Sequence, residues 1–266
     1  MPDTPIPANA ASRVTASLLD AIRAVVGDRG MLTDPSDTAA ASEDWRRLYK
    51  GRTRAVIRPA DTAEVASVVR LCAGAGVPIV TQGGNTSMVG GAVPAEDGSE
   101  LILSTARLNR VRDLDPVDMT LTVEAGVTLK AAQLAAAEKG CLLPLSISSE
   151  GTAQIGGVLA VNAGGNNTVR YGNARDLVLG LEAVLPDGTV WNGLRKLRKD
   201  NTGYCLRQLF VGSEGTLGII TAAVLKLVPQ PRETAVAFCA VGSAAAALDL
   251  FARVQAHDAV RSARSS

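Results

Sequence analysis

The chain has few aromatic residues, one histidine and no paired cysteines, and each shortage excludes a class of protein. Aromatic residues make up 3% of the 266 residues, so base-stacking platforms for single-stranded nucleic acid are not expected. Basic and acidic residues number 27 and 26, which gives no electrostatic basis for binding nucleic acid or an anionic membrane. His257 stands alone and the cysteines form no C-x-x-C pair, so no metal site is predicted.

The first residues also lack the pattern of a targeting segment. Residues 1–7 are rich in proline and contain no basic stretch followed by an apolar one, so no signal peptide is expected. No apolar run is long enough to cross a bilayer. We therefore predict a cytoplasmic protein without an integral membrane segment. Its cysteines lie among apolar residues and are expected to be buried free thiols: Cys72, Cys141, Cys205 and Cys239.

A glycine-rich turn at residues 82–91 is the first motif with chemical meaning. Gly83 and Gly84 can bring main-chain N–H groups close to a bound group, and successive N–H groups form a nest that suits a pyrophosphate. The turn lacks the lysine of GxxxxGK[ST] and the spacing of GxGxxG, so neither nucleotide fingerprint applies. Taken alone, it is consistent with a phosphate nest or with an ordinary glycine-rich turn.

Apolar spacing around this turn predicts a small parallel βαβ unit. Residues 55–57 and 77–80 have the pattern of strands, and between them a helix begins near Asp61 and ends at Gly74 and Gly76. The turn then follows the carboxyl end of a strand, where α/β folds commonly bind ligands. An amphipathic helix that serves packing is predicted upstream at residues 12–26.

Further elements are predicted downstream by the same patterns. Polar residues after position 104 predict a turn. Pro229 and Pro231 mark a boundary. The one strand and one helix predicted beyond it cannot bury their apolar faces by themselves. Residues from about 232 onward are thus expected to begin a second domain whose remainder is absent. The predicted strands are 101–104, 119–124 (half-buried), 177–185, 190–191, 219–228 and 236–241; the predicted helices are 129–139 and 243–254.

Two more glycine-rich regions follow, at residues 144–172 and 211–221. In the first, glycines at 151, 156–157 and 164–165 make an ordinary helix costly, by about 1 kcal/mol for each interior glycine. Close backbone approach to a large flat ligand would explain them, and Thr152 could cap a short helix that points at that ligand. Tight packing of loop and helix is the alternative.

The three glycine-rich signatures, in this order, resemble the FAD-binding PCMH-type domain of the vanillyl-alcohol-oxidase fold. Residues 199–204 (KDNTGY) and 208–218 (QLFVGSEGTLG) resemble its D-2-hydroxyacid dehydrogenase branch, which contains D-lactate, D-2-hydroxyglutarate and glycolate-oxidising flavoproteins. The resemblance implies an α+β fold in which two subdomains, residues 45–115 and 116–230, clasp FAD. It divides the chain into an N-terminal helical segment (1–44), the FAD-binding domain (45–231) and the truncated start of a substrate domain (232–266).

The resemblance also implies which residues contact FAD. It places the pyrophosphate at the first turn, the flavin and ribityl chain along the second region, and the adenosine half at the third. The residues are, in that order, Gln82, Gly83, Gly84, Asn85, Thr86 and Ser87; Pro144, Ser148, Gly151, Thr152, Gly156, Gly157, Asn162 and Gly164; and Glu214, Gly218, Ile219 and Ile220.

Covalent attachment of FAD is not expected. Relatives that attach FAD covalently often use a histidine near the position of Asn85 or a cysteine in the second region, and residues 144–157 contain no cysteine. Noncovalent FAD is therefore predicted. Cys205 and Ser146 stand where relatives often carry an acidic residue, which could alter the setting of the flavin.

The function implied is FAD-dependent oxidation of a D-2-hydroxy acid, with this chain supplying the FAD-binding part. In the family, a base takes the hydroxyl proton while a hydride passes to flavin N5, and a separate substrate domain supplies a histidine-rich, often metal-assisted site. This chain has only His257, so we assign no catalytic residue. The partners expected are a small 2-hydroxy acid and an unidentified electron acceptor. The alternative is a non-catalytic FAD-binding module or fragment that needs a separate substrate domain.

Overall fold

Two large β-sheets of different architecture build the fold, together with one short two-stranded pair. The computed structural model describes residues 13–256. The first sheet is mostly parallel and the second is antiparallel, so the predicted α+β fold with two subdomains is confirmed. One continuous apolar core joins the two layers, because buried residues of the parallel layer pack against those of the antiparallel one.

The parallel layer contains four strands in the order β1-β2-β4-β3. Their bounds are β1 Met31–Leu32, β2 Val56–Ile57, β3 Ile79–Gln82 and β4 Leu101–Ser104. Strands β2 and β3 both run parallel to β4, which lies between them, and this confirms the predicted βαβ connection. The ladder pairs Gln82 with Ser104, so β3 ends two residues later than predicted and the glycine-rich turn begins at Gly83.

Three α-helices belong to this layer: α1 Ala16–Val26, α2 Pro35–Ala41 and α3 Thr62–Ala75, with a short 3₁₀ turn at Asp28–Gly30. The carboxylate of Asp61 accepts the Glu64 N–H and caps α3, as its position in the sequence predicts. The helix runs through Gly74 and ends only at Gly76, which adopts the left-handed conformation with φ 63°. The apolar face of α3 is buried, including Val65 and Val68.

The antiparallel sheet has the order β5-β6-β10-β8-β9. The strands that follow β4 are β5 Val111–Asp115, β6 Thr120–Glu124, β7 Cys141–Leu142, β8 Val178–Val184, β9 Val190–Gly193, β10 Ile219–Lys226 and β11 Val228–Pro229, and β7 pairs with β11. The remaining helices are α4 Leu129–Glu138, α5 Ile155–Ala160, α6 Thr168–Tyr171, α7 Ala174–Leu177, α8 Arg207–Phe210 and α9 Ala244–Gln255. The predicted hairpin at residues 186–189 is confirmed, since β8 and β9 pair antiparallel.

Several sequence predictions were wrong. The polar stretch after residue 104 contains β5, which is stabilised by pairing with β6 rather than by its own apolar pattern. Residues 236–241 form no strand, and their side chains are exposed. All five residues of strand β6 are buried, so the prediction of a half-buried strand was wrong. Cys205 and Cys239 are exposed, whereas Cys72 and Cys141 are buried.

Candidate cofactor site

The turn at residues 83–87 is held from behind by two side chains. The amide of Gln82 donates to the carbonyl oxygens of Ala41 and Ala92, each at 2.8 Å. The amide of Asn85 donates to the Glu43 carbonyl at 2.8 Å. These bonds anchor the turn: both N–H groups of the Gln82 amide are used, whereas the Asn85 amide donates one bond and keeps a second N–H.

The main chain of this turn is left open on its other side. Within residues 13–256, the five N–H groups from Gly83 to Ser87 donate no hydrogen bond to a protein atom. The five residues are half-buried, so these donors are partly shielded from solvent. Adjacent unpartnered N–H groups of this kind form an anion-binding concavity.

The turn packs directly on the second glycine-rich region. A Cβ built on Gly84 would lie 2.0 Å from the carbonyl oxygen of Thr152, so only glycine fits there. A Cβ on Gly83 would lie 3.8 Å from the nitrogen of Gly157. Thr105, which follows β4, connects the two loops: its N–H donates to the Gln82 carbonyl at 3.0 Å, and its hydroxyl donates to the side-chain oxygen of Gln154 at 2.7 Å.

The second region is docked on the end of β6 by main-chain hydrogen bonds. The N–H of Gly156 donates to the Ala125 carbonyl at 2.7 Å, and that of Ile155 donates to the Val127 carbonyl at 2.9 Å. A Cβ on Gly156 would lie 2.8 Å from the Cβ of Ala125. Residues 155–160 are helical despite their two glycines, since this close docking offsets their low helix propensity.

The prediction that Thr152 caps this helix was wrong. Helix α5 begins after Gln154, and no side chain caps its first turn. The Thr152 carbonyl instead packs against Gly84 in the glycine-rich turn at residues 83–87. The Thr152 N–H donates to the Ser149 carbonyl at 2.9 Å. Thr152 is therefore placed by the packing of the two loops rather than by a helix cap.

One face of the second region looks into open space. No atom lies within 4 Å of a Cβ built on Gly151 or on Gly157. Among the described residues, the N–H of Gly157 has no hydrogen-bond partner. Ser148 is exposed nearby in sequence, whereas Pro144 is buried and its carbonyl accepts the Asn167 amide at 3.0 Å. Gly164 lies against Asn173, whose side-chain oxygen would be 2.7 Å from a Cβ at that position.

The third region closes the other end of α5. The N–H groups of Gly212 and Glu214 donate to the carbonyls of Leu159 and Ala160 at 3.1 and 3.0 Å. The guanidinium of Arg175 binds the carbonyls of Gln208 and Val211 and so fixes this loop. Three predicted contacts, Gly218, Ile219 and Ile220, are buried, and the two isoleucines belong to the apolar core.

Each of the three regions contains one non-glycine residue in the left-handed conformation. Asn85, Asn162 and Glu214 have φ of 50°, 48° and 53°. Such residues carry backbone strain that persists only where the surroundings impose it, and they cluster at functional sites. Asn162 is held by the N–H of Arg175, which donates to its side-chain oxygen at 2.9 Å.

The sequence analysis missed the side chains that join the loops. Thr105 and Gln154 link the first two regions, and Arg175 links the second to the third. Gln154 and Arg175 lie within or just after the second signature, but their roles depend on contacts between distant segments. Spacing along the chain carries no signal for such contacts.

Comparison with known proteins identifies the group of proteins to which this site belongs. A family described as the FAD binding domain matches residues 53–193. The chain belongs to this family. FAD is accordingly its cofactor, and the resemblance stated from the three glycine-rich signatures is confirmed.

Two relatives of this FAD-binding chain are named as dehydrogenases and are about twice its length. A mitochondrial D-2-hydroxyglutarate dehydrogenase from Bos taurus is 45% identical over 240 residues, covering 90% of this chain and 44% of the relative. A putative mitochondrial D-lactate dehydrogenase from Schizosaccharomyces pombe is 39% identical, covering 88% of this chain and 46% of the relative. This chain therefore spans less than half the length of these relatives.

A solved structure shows the same fold for this FAD-binding chain. An alkyldihydroxyacetonephosphate synthase superimposes with a TM-score of 0.74 and 24% identity, covering 82% of this chain and 41% of that protein. The likeness supports the architecture alone, since the identity is low.

The prediction of a cytoplasmic location was wrong, because the relatives from Bos taurus and Schizosaccharomyces pombe are named as mitochondrial. The prediction rested on composition and on residues 1–7, and neither determines a compartment. Within residues 13–256, no helix is both long and apolar enough to cross a membrane.

The residues of the site fit FAD. The turn at residues 82–91 contains no acidic side chain, and its free N–H groups match the acceptor oxygens of a pyrophosphate. The open face at Gly151 and Gly157 lets main chain approach a flat ring without an intervening Cβ. Contacts between neighbouring loops hold these features together: Gly84 lies against Thr152, and the N–H groups of Gly212 and Glu214 bind the end of α5.

Proposed function

We propose that this chain is the FAD-binding part of an oxidoreductase that oxidises a D-2-hydroxy acid. The proposal rests on one observation. The three glycine-rich loops contact one another beside five consecutive N–H donors that have no protein partner within residues 13–256. The names of the relatives support the substrate class, since they include D-2-hydroxyglutarate and D-lactate dehydrogenases. We also propose a mitochondrial location on the basis of those names.

We propose distinct tasks for the three loops. The N–H groups of residues 83–87 would hold the pyrophosphate, with Gln82 and Asn85 fixing the turn through their own side chains. Residues along the face that contains Gly151 and Gly157 would line the flavin and ribityl chain. The loop around Glu214 would contact the adenosine half. The chemistry that FAD supplies when bound is acceptance of a hydride at flavin N5.

The main chain, rather than charged side chains, would provide most of the cofactor's polar contacts. Hydrogen bonds from N–H groups to an anionic acceptor are stronger than those to neutral acceptors, at about 1.5–3 kcal/mol each. Five such donors in one turn are therefore enough to retain a pyrophosphate without a lysine. The five residues are half-buried, and partial shielding from solvent strengthens hydrogen bonds of this kind.

We propose that the FAD-binding domain covers residues 45–231, with a different unit from residue 232 onward.

We also propose that the FAD is bound noncovalently. Asn85 occupies the position where covalent relatives often carry histidine, and its side-chain amide donates a hydrogen bond to the Glu43 carbonyl. Acid precipitation of the FAD-loaded protein should release all of the yellow colour to the supernatant. Colour that stays with the precipitate would contradict noncovalent binding.

Two measurements test the function. Purified chain is first titrated with FAD, followed by the quenching of flavin fluorescence, and saturable binding is expected. The loaded protein is then mixed anaerobically with D-2-hydroxyglutarate, D-lactate or glycolate, and loss of the oxidised-flavin absorbance is recorded. Bleaching by one acid supports a competent dehydrogenase. FAD binding without bleaching by any acid favours the alternative of a module that needs a separate substrate domain, and absence of FAD binding refutes both.

A further inference from the structure

Two buried carboxylates lie where the parallel and antiparallel layers meet. Glu124 ends β6 and Glu182 lies in β8, and both are almost fully buried. Arg112 bridges them, with Nε 3.2 Å from Glu124 Oε1 and Nη2 3.1 Å from Glu182 Oε1. Arg110 adds two further bonds to Glu124, at 3.0 and 2.8 Å. The charges of the two carboxylates are thus balanced by two guanidinium groups.

Two threonine hydroxyls complete this network, and they come from different layers. Thr62 and Thr221 donate to the same oxygen, Glu182 Oε1, at 2.7 and 2.8 Å. Thr221 lies in β10, in the same sheet as Glu182, whereas Thr62 is the first residue of α3 in the parallel layer. The hydroxyl of Thr62 therefore carries the network across the boundary between the layers.

The network is connected to the cofactor site from both sides. On the antiparallel side, Glu124 precedes Ala125, whose carbonyl receives the Gly156 N–H and whose N–H donates to the Thr221 carbonyl at 2.9 Å. On the parallel side, α3 leads through β3 into the turn at residues 83–87. The contact between Gly84 and Thr152 spans the same boundary, so the cofactor site depends on how the two layers are placed relative to each other.

We propose that this network is a latch that holds the two layers in register and thereby sets how long FAD is retained, with Thr62 as a positioning residue. The inference rests on the proposed FAD site. The buried carboxylate of Glu182 keeps its partners fixed, because an unpaired charge in this position would be strongly unfavourable. Loss of the Thr62 hydroxyl removes the latch at the boundary while leaving the carboxylate paired with Arg112 and Thr221.

The test compares Thr62→Val with Thr221→Val in the full chain. Each variant deletes one hydroxyl donor to the same oxygen with little change in shape. The bonds lost in Thr62→Val cross the boundary, namely the donation to Glu182 and a longer bond accepted from Arg112 Nη2 at 3.4 Å, whereas the bond to Glu182 Oε1 lost in Thr221→Val stays within one sheet. Hydrogen exchange of the cofactor-free protein is followed by mass spectrometry in the first turn of α3 and in β8. Dissociation of FAD is followed by fluorescence after dilution.

For Thr62→Val we expect hydrogen exchange about tenfold faster than in Thr221→Val on both sides of the boundary. A factor of ten corresponds to a loss of about 1.4 kcal/mol. We also expect Thr62→Val to release FAD faster than Thr221→Val. Equal exchange in the two variants would overturn the latch. Faster exchange with wild-type release of FAD would overturn its link to the cofactor. If the wild-type chain binds no FAD, the proposed function and the link to FAD both fail, whereas the exchange comparison still decides the latch itself.

Discussion

Gly157→Leu provides the most direct test of whether the open face at Gly151 and Gly157 binds the cofactor. Gly157 lies in α5 with a helical backbone, no atom within 4 Å of a Cβ at that position and no partner for its N–H among the described residues. Gly74 offers a matched control, because it too lies in a helix, α3, with no atom within 4 Å of a Cβ. Leucine at either position should therefore leave the fold intact.

The two effects of the substitution have opposite signs. Replacing a helical glycine by leucine should stabilise the chain by roughly 0.5–1 kcal/mol, which corresponds to a rise in Tm of about 1–4 °C for a protein of this size. At Gly157 the new side chain also occupies the space left for the cofactor. If the leucine side chain pushes the cofactor away from the main chain, FAD loses its hydrogen bond from the residue 157 N–H. Loss of one such bond to an anionic or polar acceptor costs about 1.5–3 kcal/mol, so FAD affinity should fall about 10- to 150-fold.

The assay combines the Tm of the cofactor-free protein with the Kd for FAD from fluorescence titration. Gly74→Leu should raise the Tm and keep the wild-type Kd, whereas Gly157→Leu should raise the Tm and weaken FAD binding. A wild-type Kd for Gly157→Leu would refute the assignment of this face to the cofactor. A lowered Tm would point to a clash beyond the Cβ, and Gly157→Ala, measured against Gly74→Ala, would then decide.

Three further predictions concern the surrounding structure. Burial raises the pKa of Cys72 to about 11, so iodoacetamide at neutral pH should label the exposed Cys205 and leave Cys72 unmodified by mass spectrometry. Burial would raise the pKa of Glu124, but hydrogen bonds from its arginine partners outweigh it and lower the pKa below the ordinary value of 4.5. The ionised Glu124 carboxylate should therefore stabilise the fold fully above about pH 5 and lose this contribution as the pH falls through its lowered pKa. Glu124→Gln should flatten that part of the pH profile of urea midpoints. Arg175→Met should free the loop that follows α8, giving faster limited proteolysis there and faster FAD release; unchanged cleavage would contradict the role of the guanidinium.

Local signals predicted the elements whose formation depends on nearby residues. Helix α3 was found because Asp61 caps it and its apolar residues repeat at helical spacing. Strand β5 was missed because its exposed, charged residues are ordered by pairing with β6 across the sheet. Residues 236–241 show the reverse, since their apolar pattern suits a strand but no described strand pairs with them.

The candidate site was predictable at the level of its loops and not of its contacts. Glycine spacing located the three regions, but it could not show that Asn85 points back to Glu43 or that Gln82 anchors the turn. Those roles depend on segments about 40 positions away in the chain. The network around Glu182 was likewise invisible, because its members come from four strands and a helix.

The glycines of the site divide into two groups with different physical roles. Gly84 and Gly156 lie where a Cβ would meet neighbouring protein atoms at 2.0 and 2.8 Å, so they allow the loops to pack on each other. Gly151 and Gly157 face open space, so packing does not explain their lack of a side chain. Substitution of Gly84 would abolish FAD binding by separating the first turn from Thr152, whether or not the turn itself touches the cofactor. Only the second group can therefore distinguish a cofactor surface from a tightly packed loop, since a side chain there should leave the protein folded while weakening FAD binding.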